Sequence, residues 1–101
     1  MKILLVCAGG LSSSIVMKKV RKYGEENNED ITIDAIGTPA VEDSWRDYDV
    51  ILAAPQVRNR MKYIKEVSGI PVGAMSPQDY AIGNAENIIK LAKSLLENKE
   101  G

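Results

Sequence analysis

Lys2-Ile-Leu-Leu-Val-Cys7 is a short apolar run, and the sequence continues with Ala8-Gly-Gly-Leu11 and Ser12-Ser-Ser14. An apolar run of this length that stops at glycines is typical of a buried strand. Serines favour a helix N-terminus, because their hydroxyls accept hydrogen bonds from its free backbone N–H groups. The stretch therefore predicts a strand over residues 2–6, a tight loop over residues 8–11 and a helix over residues 13–26. Cys7, the only cysteine of the chain, lies where the strand ends.

The rest of the chain alternates apolar runs with helical patterns. Further strands are predicted over residues 31–36, 49–54 and 71–75, with a turn or short helix over residues 37–47. Helices are predicted after Pro55 and from Asn84, which is suited to be an N-cap. Strands that alternate with helices are typical of a parallel sheet covered by helices on both faces.

The character of each apolar run predicts the strand order. The runs at residues 4–6 and 50–53 are continuously apolar, as strands buried on both faces should be. Residues 31–35 alternate in polarity, and Pro71 lacks the N–H that a central strand donates, so both belong at an edge. With right-handed crossovers the order is 2-1-3-4. The predicted fold class is α/β: a single three-layer domain over residues 1–101, with a four-stranded parallel sheet and helices on both faces.

This strand order places Cys7 in a binding crevice before its chemistry is considered. The chain reverses direction across the sheet between the first and third strands. In open α/β sheets, ligands bind at such a switch point, outside the carboxyl ends of the strands. The loops at that point are residues 7–13 and 54–57.

Composition excludes several classes of function. The 13 basic and 14 acidic side chains give a net charge of −1, without the basic excess of a nucleic-acid-binding protein. The chain has no histidine, which excludes a Cys–His pair and a His-ligated metal, and we expect no cofactor. No apolar run reaches the roughly 20 residues of a membrane span, and no signal-peptide pattern is present. We therefore expect a cytoplasmic protein without membrane insertion, where a reactive thiol stays reduced.

The loop after Cys7 has the composition of a phosphate-binding loop. Successive backbone N–H groups in such a loop can surround an anion, and glycines allow the close approach. A helix N-terminus adds free N–H groups and a partial positive charge, which also favours the nucleophilic thiolate. We expect Cys7 to carry a phosphoryl group on sulfur, with the phosphate held by Ala8, Gly9, Gly10, Leu11, Ser12, Ser13 and Ser14. The simpler alternative is that Cys7 is a small buried hydrophobic residue.

Two enzymatic alternatives and one binding role fit the spacing. Low-molecular-weight tyrosine phosphatases have Cys-x5-Arg, in which the Arg binds the phosphoryl group and an Asp is the general acid. Here Ser13 stands at the Arg position, and Asp79 could imitate the acid. Without the Arg, the loop is better suited to store a phosphoryl group and pass it on. A regulatory module that binds a phosphorylated partner is the third possibility.

The run Cys7-Ala-Gly-Gly-Leu-Ser-Ser-Ser14 resembles the phosphocysteine loop of the IIB components of the bacterial phosphoenolpyruvate-dependent sugar phosphotransferase system. The lactose/cellobiose/chitobiose family is the nearest match. Ala54-Pro55-Gln56 resembles that family's Gly-Pro-Gln, and Tyr80 falls where cellobiose-type members have a tyrosine. The resemblance implies a fold like that of the low-molecular-weight phosphatases.

The resemblance also implies a mechanism and partners. A IIA protein would transfer a phosphoryl group from its histidine to Cys7, and Cys7 would pass it to a sugar at the membrane-embedded IIC component. The chain would then be a phosphotransferase of sugar uptake, associated with IIC at the membrane. The sugar would be a β-linked disaccharide such as cellobiose, chitobiose or lactose, and the sequence does not choose among them.

Other polar positions near this site have two readings each. Gln56 either contacts the cysteine loop or the IIA partner, or it caps the following helix. Tyr80 is either a rim residue that contacts a partner or a core aromatic residue. Arg58, Arg60 and the basic run at residues 18–22 form solvated helix faces or attract an acidic partner.

Overall fold

One parallel sheet organises the described part of the chain. A computed structural model describes residues 1–8 and 12–97, with Ser12 given by its backbone alone. The strands are β1 (Lys2–Cys7), β2 (Thr32–Gly37), β3 (Val50–Ala53) and β4 (Val72–Ala74). They pair in parallel in the order β2-β1-β3-β4, so the predicted order 2-1-3-4 is confirmed.

The helices cover both faces of this sheet, as predicted. They are α1 (Ser12–Glu26), α2 (Val41–Ser44), α3 (Met61–Val67), α4 (Pro77–Ile82) and α5 (Ala85–Glu97). Short 3₁₀ turns span Thr38–Ala40, Trp45–Asp47 and Pro55–Arg60. Helices α1, α4 and α5 pack on one face of the sheet, and α2 and α3 pack on the other.

The alternation of side chains along β1 divides the interior into two cores. Because successive side chains of a strand point to opposite faces, Ile3, Leu5 and Cys7 pack in the first core, with α1, α4 and α5. Leu4 and Val6 pack in the second core, with α2 and α3. All these residues except Cys7 have no exposed surface, which explains why the run is apolar without interruption.

Two helical segments differ from the sequence prediction. The helix expected after Pro55 begins as a 3₁₀ turn, because Val57 has φ −110° and ψ 19°, and the α-helix starts only at Met61. Helix α4 was not predicted. Its N-terminus has a clear local signal, because Ser76 Oγ accepts a hydrogen bond from Asp79 N at 3.1 Å and Pro77 occupies the first turn.

The join between α4 and α5 is built from a glycine and an asparagine. Gly83 ends α4 in the left-handed region, with φ +64°, and donates its N–H to carbonyls of the last turn. Asn84 Oδ1 accepts from Asn87 N at 3.1 Å, so the predicted N-cap of the last helix is confirmed. A Cβ at Gly83 would lie 2.8 Å from Lys19 Cδ, so the lysine side chain would have to shift.

We expect Gly83→Ala to lower the free energy of unfolding by about 1–2 kcal/mol, because alanine is strained at positive φ and would push against Lys19. Urea denaturation measures the change. Gly37→Ala is the matched control, since a Cβ there would meet only ordinary contacts, at 3.7 Å from Pro39 Cδ. Equal stability of the two variants would contradict the tight packing of α4 on α1.

Candidate functional site

Cys7 lies at the carboxyl end of β1, in the middle of the sheet. Its backbone pairs with Gly37 of β2, and β3 ends beside the preceding residue, Val6. The residue is 5% exposed, and its thiol donates a long hydrogen bond to Ile36 O, with an Sγ–O distance of 3.7 Å. The thiol is free of any disulfide. The position is the predicted switch point, and the burial shows that Cys7 also contributes to the first core.

Backbone hydrogen bonds hold the ends of three strands together next to Cys7. Ala54 N donates to Val6 O at 2.8 Å, and Met75 N donates to Ala53 O at 3.0 Å. Ala54 is completely buried in the first core, so the segment after β3 starts directly beside the end of β1. The loops that follow β1 and β3 are therefore held at one edge of the sheet.

Helix α1 begins close behind Cys7. Its first residue is Ser12, one residue earlier than predicted, so only four residues, 8–11, separate the thiol from the helix. The helix has 15 residues and no acidic side chain in its first turn, so nothing there opposes the positive end of its dipole. Ser13 is buried and Ser14 is exposed. The arrangement suits an anion on Cys7.

Part of the predicted phosphate loop lies outside the described residues. This applies to Gly9, Gly10 and Leu11 and to the side chain of Ser12. Ala8 is described and is exposed. The anion nest formed by these backbone N–H groups therefore stays a prediction.

Tyr80 is buried in the protein interior. It lies on α4, is 6% exposed and belongs to the first core, as Cys7 does. This burial supports the reading of Tyr80 as a core aromatic residue, and contact with the cysteine loop or a partner stays a prediction. Helix α4, which sets the depth of Tyr80, was not predicted, although Ser76-Pro77 was a usable signal.

Gln56 and the two arginines after it point away from the protein interior. Gln56 is exposed, and its side chain makes no hydrogen bond to any described residue. The turn Pro55–Arg60 has Ala54 at its N-cap position and no side-chain cap, so the capping role of Gln56 is wrong. Contact with the cysteine loop or a partner stays a prediction. Arg58 and Arg60 are exposed on the same turn.

Asp79 is held by a structural bond. Its Oδ1 accepts from Asn87 Nδ2 at 3.0 Å, which ties α4 to α5. A general acid must reach the leaving group of a substrate, whereas this carboxylate already links two helices. The observation weakens the phosphatase reading, which also lacks the loop arginine.

Residues 1–8 and 12–97 contain no cluster of His, Cys, Asp or Glu that could hold a metal ion. In the same part of the chain, no helix has the length and apolar character needed to cross a membrane.

Comparison with known proteins decides the family. The family model described as "PTS system, Lactose/Cellobiose specific IIB subunit" matches residues 2–91. The chain belongs to this family. IIB components are phosphotransferases of the sugar phosphotransferase system, so the resemblance found in the cysteine loop is confirmed.

Individual relatives agree with this assignment. The chain is 28% identical to "PTS system galactose-specific EIIB component" of Lactococcus lactis, over 93% of the chain and 94% of that protein. A solution structure of the cellobiose-specific phosphotransferase IIB component from Borrelia burgdorferi superposes with a TM-score of 0.82. It is 35% identical and covers 98% of this chain and 94% of that one.

One further relative has a composite name, which combines the IIC and IIB components. "PTS system lactose-specific EIICB component" of Staphylococcus epidermidis is 34% identical over 64 residues, which is 63% of this chain and 11% of that protein. Homologues of this type indicate a membrane IIC partner for the IIB family.

We expect Asp79→Ala and Asn87→Ala each to lower the free energy of unfolding by about 0.5–1 kcal/mol, because each removes the bond between α4 and α5. In a double-mutant cycle by urea denaturation, the double variant should lose less than the sum, with a coupling of about 0.5 kcal/mol. Additive losses would show that the carboxylate is not held by Asn87 and would reopen its role as an acid.

Proposed function

We propose that this IIB chain carries a phosphoryl group on Cys7 between a phosphohistidine IIA protein and a sugar at the membrane IIC component. The observation that carries the proposal is the place of the only cysteine, at the end of the central strand β1 and separated by four residues from a 15-residue helix. The thiol lies at the carboxyl end of β1, in the region where open α/β sheets bind ligands, which supports the proposal. We infer that residues 1–101 act as one IIB domain.

The first half-reaction loads the thiol. Cys7 loses its proton to solvent, and the thiolate attacks the phosphorus of the donor's phosphohistidine. The S–P bond forms and the P–N bond breaks, and the electron pair of the broken bond stays on the donor's imidazole nitrogen. The chain has no histidine to act as a local base, so the proposal gives this proton to solvent.

The second half-reaction removes the phosphoryl group from Cys7. A sugar hydroxyl oxygen attacks the phosphorus on Cys7, the S–P bond breaks and the thiolate leaves with the bonding electrons. The hydroxyl proton is released on the sugar side. Between the two steps the phosphoryl group brings nearly two negative charges to the end of β1. The N-terminus of α1 and the serines Ser13 and Ser14 support that charge in the proposal.

Transfer requires a movement of the thiol. In the structure Sγ faces Ile36 O, and a carbonyl oxygen repels a thiolate. Cys7 is only 5% exposed, so little of the residue is open to an in-line donor in this arrangement. We therefore expect the side chain of Cys7 to turn away from Ile36 as the donor docks.

The proposed phosphoryl transfer also requires a membrane IIC partner. The composite EIICB relative supports a IIC partner. In the proposal, the IIB chain meets IIC at the cytoplasmic face of the membrane.

The relatives are named for galactose, cellobiose and lactose, so they do not agree on one sugar. A β-linked disaccharide such as cellobiose, chitobiose or lactose is the proposed class, with the choice made at IIC. Gln56 is the exposed residue best placed to contact the loop or the IIA protein.

Incubation with phosphoenolpyruvate, the general phosphotransfer proteins and a matching IIA protein tests the proposal. Intact-mass measurement should show one added phosphoryl group, and peptide mapping should place it on Cys7. Cys7→Ser should gain none, because a serine hydroxyl is a weak nucleophile without an adjacent base. Turnover of an aryl phosphate, abolished in Cys7→Ser, would instead support the phosphatase.

A displaced thiol provides the control. Cys7→Ser with Ala8→Cys keeps one cysteine and moves it by one residue to an exposed position. This variant should not be phosphorylated, because its sulfur lies off the end of β1. Phosphorylation of the displaced thiol, or an unlabelled wild-type protein that still binds the phosphorylated partner, would contradict the carrier mechanism.

A further inference from the structure

A cavity outside the proposed phosphate loop is lined by residues from two separate parts of the chain. Its lining residues are Thr38, Pro39, Arg60 and Tyr63, and its volume is about 270 Å³. Thr38 and Pro39 lie in the turn that follows β2, Arg60 ends the turn that follows β3, and Tyr63 lies on α3. None of these four residues takes part in the phosphoryl transfer proposed above.

The strand order places this cavity at the carboxyl edge of the sheet. Strands β2 and β3 run parallel to β1 on either side, so the turns that follow them leave the sheet at the edge where Cys7 ends β1. Cys7 pairs with Gly37, and a Cβ built on Gly37 would lie 3.7 Å from Pro39 Cδ. Tyr63 packs against the second core, whereas Cys7 belongs to the first. The cavity and the thiol therefore share one edge but lie on opposite faces.

Three polar side chains of the cavity have no partner within the described part of the protein. The guanidinium of Arg60 is exposed and makes no ion pair or hydrogen bond with any described residue. The hydroxyls of Thr38 and Tyr63 make no hydrogen bond to a described residue either, although both residues are half-buried. One cation and two hydroxyls are thus available to a ligand.

The charge of the cavity favours an anionic ligand. A guanidinium presents parallel N–H donors that match two oxygens of a phosphate or a carboxylate. Arg58 is exposed on the same turn and also makes no ion pair with a described carboxylate, so it adds positive charge near Arg60. The hydroxyls of Thr38 and Tyr63 can donate to further oxygens of the ligand.

The apolar part of the lining fits the carbon face of a sugar ring. Tyr63 contributes an aromatic ring, whose negative face attracts C–H groups, and Pro39 contributes a second apolar ring. The volume of about 270 Å³ lies below the roughly 300–1,000 Å³ of cavities that hold drug-sized molecules. This size favours one sugar ring with its phosphate over a larger ligand.

We propose that this cavity, named here the Arg60 cavity, binds the phosphorylated ring of a sugar phosphate. Arg60 contacts the phosphate, and Tyr63 packs against the ring. The proposal rests on the carrier function proposed above, because transfer from Cys7 to a sugar produces a sugar phosphate and so favours phosphate over carboxylate. Binding is non-covalent and does not require a phosphoryl group on Cys7, so the unmodified protein is sufficient for the test.

Calorimetric titration with glucose 6-phosphate tests the Arg60 cavity. We expect its Kd to be lower than that of inorganic phosphate by about fivefold, because only the ester contacts Tyr63. Arg60→Gln should raise this Kd about tenfold, since it removes a charge-assisted pair. Arg58→Gln is the matched control, because it removes the same charge from the same turn but does not line the cavity. It should change the Kd by less than about twofold.

A second variant separates the sugar contact from the phosphate contact. Tyr63→Leu keeps an apolar side chain for packing against the second core and removes the aromatic ring and the hydroxyl. We expect this variant to lose the preference for glucose 6-phosphate over inorganic phosphate. Thermal unfolding checks that each variant is folded.

NMR shift mapping distinguishes the Arg60 cavity from the cysteine loop, which is also predicted to bind phosphate. Glucose 6-phosphate should shift the amide signals of Thr38 and Tyr63, and Arg60→Gln should abolish those shifts. Shifts confined to residues 8–14, equal losses in the two arginine variants, or no preference over inorganic phosphate would overturn the proposal. So would the absence of binding at about 10 mM ligand. A protein that binds glucose 6-phosphate through Arg60 but is never phosphorylated on Cys7 fails only the carrier function.

Discussion

The parallel pairing of β1 with both β2 and β3 is the constraint on which the rest of the structure depends. Because β1 is flanked on both sides, its residues Ile3 to Val6 have no exposed surface, and each face of the strand must be covered by helices. Its alternation assigns Ile3 and Leu5 to one core and Leu4 and Val6 to the other. A slip of one residue would exchange the two sets and turn Cys7 to the opposite face.

The same pairing explains why the site lies where it does. The chain leaves β1 toward β2 on one side and returns to pair β3 on the other, so the carboxyl end of β1 is the switch point of the sheet. Cys7 occupies that end, and Ala54 N bonds to Val6 O to bring the next loop beside it. In the proposed function, Cys7 carries the phosphoryl group at this position, and a donor histidine on another protein accounts for a phosphotransferase without histidine.

The sequence predicted the features that depend on continuous local patterns. Uninterrupted apolar runs identified the central strands, and Pro71 marked the edge, so the sheet order was correct. Helix α4 was missed because six residues are too few to show a helical period, and its evidence was confined to Ser76-Pro77. The 3₁₀ start after Pro55 was missed because it depends on the backbone angles of Val57, which no pattern records.

Features of the site that depend on packing between distant segments were beyond the sequence. Cys7 and the helix behind it could be identified, but the contact of Sγ with Ile36 O requires the register of β1 and β2. Capping was one of two readings of Gln56, and the sequence could not show that the turn has Ala54 at its N-cap position and leaves Gln56 exposed. The hydrogen bond from Lys19 Nζ to Ile82 O exists only because α4 packs on α1.

The fate of the phosphoryl group in a single turnover tests the central claim, that Cys7 stores the group for another protein. The isolated protein, labelled with radioactive phosphate on Cys7, is divided between buffer and vesicles that contain IIC and its sugar. The account predicts that the label persists in buffer and moves to the sugar in the vesicles, with one free thiol regained for each sugar phosphate formed. Release of inorganic phosphate at the same rate in both samples would contradict it, because Cys7 would then be a site of hydrolysis.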